Sequence, residues 1–203
     1  IAKGPNKWGS SFPLEIDPQK AKKALVDFKV GSVLNTINNT AQNTETWHKT
    51  ITEIQKYSID STRMKLPVIY GIDAIHGTTY TAGATMFPQQ ITTAASWNEE
   101  NAYNMALVCA YETRASGIPW NFSPVLDLGL DPRFPRQFET FGEDPLIVER
   151  FGKAMIRGYQ GENNDISNKY NVAACMKHFV GYHAVISGKD RTPAYIPDNV
   201  LSE

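Results

Sequence analysis

The sequence predicts an α/β fold, a (β/α)8 TIM-type barrel only partly covered by its 203 residues. Three observations lead there. Short apolar runs of strand length recur along the chain, amphipathic stretches of helical length separate them, and polar residues able to do chemistry stand just after the apolar runs. Continuous apolar strands alternating with amphipathic helices imply a parallel sheet covered on both faces. Chemistry gathered at the carboxyl ends of successive strands is the barrel pattern, although an open doubly wound sheet obeys the same rule. Both architectures fit the periodicity, and the placement of the polar residues favours the barrel.

Each element has its own signal. Asp17-Pro18 opens a helix, since Asp caps free N–H groups and Pro fits the first turn; Ala21, Leu25 and Phe28 then share a face. Val30–Leu34 reads as a short buried strand. The polar stretch from Asn35 to Thr46 reads as a loop, and a helix follows with Trp47, Ile51 and Ile54 at helical spacing. Leu66–Ile72 is a stronger strand. Ser96 and Glu99 form a capping box for a helix running to about Gly117, with Ala102, Ala106, Cys109, Ala110 and Thr113 as its buried stripe. Ile118–Leu126 is the next strand. Asp144-Pro145 repeats the cap-plus-proline device and opens a helix with Val148, Phe151, Met155 and Tyr159 inward. Val172–Met176 is the fourth strand, and Pro197 begins a further helix start. A full barrel needs eight strand–helix units in about 250 residues. Four are legible, so residues 1–203 read as a truncated piece of a barrel domain, missing sequence at the C-terminus, with a missing stretch at the N-terminus left open.

Composition narrows the function. Twenty Lys plus Arg against 21 Asp plus Glu leave a net charge of −1, which offers no electrostatic footprint for nucleic acid or an anionic membrane surface. No apolar stretch approaches the roughly 18 residues of a membrane span. The two cysteines, Cys109 and Cys175, sit in apolar contexts and read as buried thiols. The chain begins with Ile and shows no basic run followed by an apolar core, so any signal peptide is already gone or was never there; Asn38-Asn39-Thr40 is a glycosylation sequon in a loop, and Asn121-Phe122-Ser123 is one inside an apolar run where it is inaccessible.

No metal signature, phosphate loop or Gly-x-Ser-x-Gly turn is present. What remains is a mixed polar set at the strand ends. Asp73 and His76 follow one strand, Asp127, Asp131, Arg136 and Glu139 the next, and Lys177 and His178 the last. A carboxylate accepts hydroxyl protons while Arg and Lys donate several hydrogen bonds, so such a ring suits a neutral polyhydroxyl ligand. Plainer readings stand beside this one. Asp73 can cap a turn, Arg136 and Glu139 can form a structural ion pair, and His76 and His178 can be ordinary structural histidines. Lys177 is harder to dismiss, because a Lys at a buried strand end needs partners. Trp47, Trp97 and Trp120 read as core, and Trp8 is a candidate to line a sugar site.

These segments together resemble glycoside hydrolase family 3, the β-glucosidase and exo-β-glucanase family. The carriers are Gly71–Gly77, Phe87-Pro88, Ser123-Pro124-Val125, Asp131-Pro132-Arg133, Arg136 with Phe138-Glu139, Phe141–Pro145 and Lys177-His178-Phe179, in an order and spacing that run from about Val30 to the end. The run Gly188–Thr192 after the Lys-His pair looks like the eukaryotic secreted or lysosomal type. The resemblance implies that Asp73, Arg136, Lys177 and His178 bind the terminal glucosyl unit of a β-glucoside or β-glucan. It implies that Arg191 reaches the same subsite, and that Glu139 and His76 orient the cationic residues. It implies a retaining mechanism with an Asp nucleophile and a separate acid/base, neither of which falls in these residues, and no cofactor or metal. The partner then needed is the remainder of the chain's own polypeptide. The lack of a Lys-His-Phe-Pro-Gly-His motif favours the glucosidase branch over the N-acetylglucosaminidases. A non-catalytic sugar-binding or assembly protein of the same fold is the alternative.

Overall fold

The structure, a computed structural model, describes residues 1–4, 11–36 and 40–202. Trp8 and the sequon asparagines Asn38 and Asn39 lie outside the described residues.

The chain opens with helix α1 (Pro18–Ala21), where the Asp17 carboxylate accepts the N–H groups of Gln19 and Lys20. It continues as a π-helical stretch, Lys22–Asp27. The i→i+5 winding rotates position 28 off the face that holds Ala21 and Leu25. Those two are buried, whereas Phe28, expected beside them, is 69% exposed. Strand β1 is shorter than expected, Ser32–Leu34, and is an edge strand with Leu34 exposed rather than buried.

Helix α2 (Thr44–Ser61) starts inside the stretch read as loop, because the Asn43 side chain accepts the Thr46 N–H. Its Trp47, Ile51 and Ile54 are buried as the spacing requires. The Trp47 ring stands edge-on to Tyr70 and its Nε1–H donates to the Tyr80 carbonyl. Strand β2 (Ile69–Ile72) is central in a parallel sheet of order β1-β2-β3, with Leu34 opposite Gly71 and Gly71 opposite Trp120.

Two departures follow. Helix α3 (Gln90–Ala95) has no clear sequence signal, yet Gln90 is fully buried and holds Val125 through both its amide ends. Helix α4 (Glu99–Ala115) is capped by Asn98, which accepts from the Glu100 N–H, not by Ser96, whose hydroxyl donates to the Thr93 carbonyl. Between them Trp97 adopts a left-handed φ of 53° and is 79% exposed, so it is no core residue. The buried stripe of α4 is the expected one, and it packs on α5 (Pro145–Gln160), whose Asp144 cap and inward Val148, Phe151, Met155 and Tyr159 are also as expected.

Strand β3 keeps only Trp120–Asn121 of the run Ile118–Leu126. Pro119 and Pro124 cannot donate to a ladder, which breaks it into pieces. The fourth run, Val172–Met176, is held to it by single parallel bridges, Trp120 to Ala173 and Val125 to Lys177. The pairing that remains sets this segment beside β3. Trp120 and Cys175 are half-buried, unlike the fully buried Cys109. The Cys109 thiol is pushed up to about 11 by burial and is a packed, inert group. Helix α6 (Asp198–Leu201) follows Pro197.

Candidate active site

The parallel sheet brings the carboxyl ends of its strands to one side, and the polar residues meet there. Asp73 follows β2, Asn35 follows β1, and Lys177 ends the fourth strand-like segment. Lys177 Nζ donates to Asp73 Oδ1 at 2.7 Å, and Asn35 Nδ2 donates to Asp73 Oδ2 at 2.6 Å. The Asp73 N–H in turn donates to Asn35 Oδ1 at 2.9 Å. One residue on, the fully buried Asn121 side chain accepts the Ala74 N–H and donates to the Ala74 carbonyl, both at 2.9 Å. The Asp73 carboxylate therefore sits on a backbone clamped at two successive residues. The turn that follows needs Gly77, with φ 109° and no room for a Cβ, which would lie 2.1 Å from the Thr85 carbonyl oxygen.

Around Asp73 opens a polar cavity of about 540 Å³. Arg136, Glu139, Lys177, His178, His76 and Arg191 all line it, so the polar residues singled out for binding or orienting sugar share one space with Asp73. Arg136 donates from Nε and Nη2 to the two carboxylate oxygens of Glu139, at 2.9 and 2.6 Å, from a 3-10 turn at Gln137–Glu139. Its guanidinium also lies over the Tyr182 ring. His178 is tied to Asp127. The His76 ring bonds the Phe87 carbonyl, closing the 76–87 loop rather than touching Arg136 or Lys177. Arg191 is the loosest member, its side chain 85% exposed beside Asp190.

Electrostatics follow from these contacts. Burial alone pushes the Asp73 carboxyl up. The Lys177 ammonium, the hydrogen bonds from Lys177 and Asn35, and the charge of Arg136 outweigh it and hold the group below its ordinary value. Glu139 raises the proton affinity of Arg136 further, so this cation is permanent. The site thus sets a fixed acceptor, Asp73, beside fixed donors, Lys177 and Arg136, an arrangement complementary to sugar hydroxyls. Each carboxylate that lines it is engaged: Asp73 by Lys177 and Asn35, Glu139 by Arg136, and Asp190 by the Tyr182 hydroxyl and Arg191. Among the described residues no cluster of His, Cys, Asp and Glu could hold a metal ion. No described helix is long and apolar enough to cross a membrane.

The family description "Glycosyl hydrolase family 3 N terminal domain" matches residues 13–203. The chain belongs to glycosyl hydrolase family 3. A relative in Dictyostelium discoideum, the lysosomal beta glucosidase, is 43% identical over 162 residues, covering 78% of this chain and 20% of that protein. The periplasmic beta-glucosidase of Salmonella typhimurium is 29% identical over 188 residues, covering 91% of this chain and 22% of that protein. Among solved structures, the exo-1,3/1,4-beta-glucanase of a Pseudoalteromonas species is similar with a TM-score of 0.76 at 31% identity, over 88% of this chain and 23% of that one. The chain therefore spans about a fifth of the length of the family members it matches. The fold is the family's TIM-barrel-type domain, partly covered.

Three contributors escaped sequence reasoning or were given no role by it: Asn35, Asp127 and Tyr182. Asn35 stands directly after an apolar run, the same position that marked Asp73, so that rule applied to β1 would have found it. Asp127 was visible as a strand-end residue, but its partner 51 positions away was not. Nothing local marks Tyr182.

Proposed function

We propose that this chain supplies the glucosyl-binding part of the active site of a retaining, exo-acting β-glucosidase. Asp73, Lys177, Arg136 and His178 hold the terminal sugar, Arg191 approaches from its loop, and Glu139 keeps Arg136 in place. The nucleophile and the acid/base come from sequence outside these residues, contributed by the rest of the same polypeptide. The observation that carries the reading is the Asp73 carboxylate, immobilised from both sides inside a cavity that also presents the cationic donors Lys177, Arg136 and Arg191. The names of the relatives support the substrate class: they are a lysosomal and a periplasmic beta-glucosidase and an exo-glucanase. The same names support a lysosomal or secreted compartment for this protein.

The test uses the full-length protein and its Asp73→Ala variant with 4-nitrophenyl β-glucoside and β-xyloside. The expected result is hydrolysis of the glucoside and a loss of both kcat and affinity in a variant that still melts cooperatively. A wild type without activity that still binds glucose supports a non-catalytic sugar-binding protein instead. Unchanged kinetics in Asp73→Ala would sink the assignment of the site, and a preference for the xyloside would change the sugar.

A further inference from the structure

We infer that Asp127 is a positioning residue that fixes which nitrogen of His178 faces the cavity, and with it the polarity of the hydrogen bond offered to a sugar hydroxyl. The inference rests on the sugar-binding reading of the cavity above.

The bridge between Val125 and Lys177, with the Leu126 N–H donating to the Lys177 carbonyl at 2.7 Å, sets the two segments in register. In that register Asp127 stands beside His178 and grips it twice. One carboxylate oxygen accepts the His178 backbone N–H at 3.3 Å, and the other lies 2.6 Å from the ring Nδ1. A carboxylate can only accept, so the proton of this bond belongs to Nδ1. Which ring nitrogen carries the proton is set by the bond the other makes. Among the described residues no protein group bonds Nε2, and His178 lines the polar cavity as well as the apolar one beside it. In the neutral ring Nε2 therefore presents a lone pair, an acceptor standing beside the donors Lys177 and Arg136.

Burial distinguishes this from a surface ion pair. The Asp127 side chain is 5% exposed and His178 26%, so the carboxylate is spent on the histidine and is itself no candidate nucleophile. The Tyr182 ring, 4.8 Å away between centroids, limits the other side of the imidazole. Asp127→Asn keeps the shape but can turn its amide N–H toward Nδ1. The ring proton then moves to Nε2, and the acceptor facing the cavity becomes a donor. Carboxylates that orient a metal-ligating histidine carry about 10–100-fold in affinity or activity, and the same scale is expected for a histidine that orients a hydroxyl.

The experiment uses the full-length protein with 15N-labelled histidine. In the wild type, the His178 ring spectrum should show the Nδ1-protonated tautomer, and in Asp127→Asn the Nε2-protonated one. With 4-nitrophenyl β-glucoside, kcat/KM should fall about 10–100-fold in Asp127→Asn. The double variant with His178→Ala should lose little more than His178→Ala alone, because Asp127 acts only through that ring. Losses that multiply independently, or an unchanged tautomer in Asp127→Asn, overturn the inference. Should Asp127→Asn fail to fold, an Nε2-protonated His178 in the wild type overturns it by itself, and an Nδ1-protonated one sustains it. A wild type that neither hydrolyses nor binds a glucoside overturns the sugar-binding reading instead, and the ring spectrum still decides the role of Asp127.

Discussion

Replacing Glu139 by Gln in the full-length protein isolates what holds Arg136 toward the cavity. The wild-type pair is bidentate, with Glu139 10% and Arg136 25% exposed, so neither charge is well served by water. A glutamine retains one acceptor for Nε, but its NH2 group meets the Nη2–H as donor against donor. One charge-assisted hydrogen bond disappears, worth about 1.5–3 kcal/mol, and the guanidinium loses its counter-charge. A pair this buried but still touching solvent belongs toward the low end of the about 3–5 kcal/mol seen when fully buried pairs are broken. If that energy is what keeps Arg136 aimed at substrate, kcat/KM falls by about 10–150-fold, the same energies expressed as a rate ratio. The assay is initial rates on an aryl β-glucoside, with Arg136→Ala setting the largest attainable loss and a thermal melt checking the fold. A Glu139→Gln protein with wild-type kcat/KM, alongside a crippled Arg136→Ala, would refute the reasoning: Arg136 would then be held by the Tyr182 ring or by substrate alone.

Two further outcomes follow from the structure. The Asp73 carboxyl is held below its ordinary 3.8, so its contribution to stability is complete above 3.8 and is lost as pH falls through the depressed folded value; the melting-temperature gap between wild type and Asp73→Asn should be present near neutral pH and close below 3.8, and a gap unaffected by acid would contradict the Lys177–Asn35 cradle. Gly158→Ala should destabilise by about 1–3 kcal/mol, since its Cβ would fall 2.5 Å from the Tyr103 carbonyl oxygen and 2.7 Å from the Ala106 Cβ where α5 crosses α4; Gly31→Ala, with nothing within 4 Å, is the comparison that should change little in the same denaturation measurement.

The helices were legible where a cap and an apolar period agree. Asp144-Pro145 before Val148, Phe151 and Met155 is such a case, whereas α2 was legible only from the period of Trp47, Ile51 and Ile54, its Asn43 cap falling in the stretch read as loop. They failed where the local code was ambiguous. Ser96 and Asn98 both satisfy the rules for a cap, and the left-handed backbone at Trp97 decided for Asn98. Helix α3 rests on the tertiary hold of Gln90 on Val125 rather than on any pattern in its sequence. The strands were found by their apolar runs, but their lengths were not, since Pro119 and Pro124 interrupt the ladder without interrupting the hydrophobicity. In the site, strand-end position identified Asp73, Lys177, His178 and Arg136 as neighbours. The pairings that give each its orientation, Asn35 to Asp73 and Asp127 to His178, cross 38 and 51 residues and leave no trace in local sequence.

The bond between Lys177 and Asp73 joins residues 104 positions apart. On a ribosome adding about 5–20 residues per second, Lys177 is made about 5–20 s after Asp73. During that interval Asp73 can draw only on Asn35 and the β2 backbone. A carboxylate waiting without its ammonium is held from one side only, so the cavity around Asp73 cannot take its final form before the fourth strand-like segment arrives. The pocket comes into being as a late event of synthesis, after the helices that support it have had time to pack.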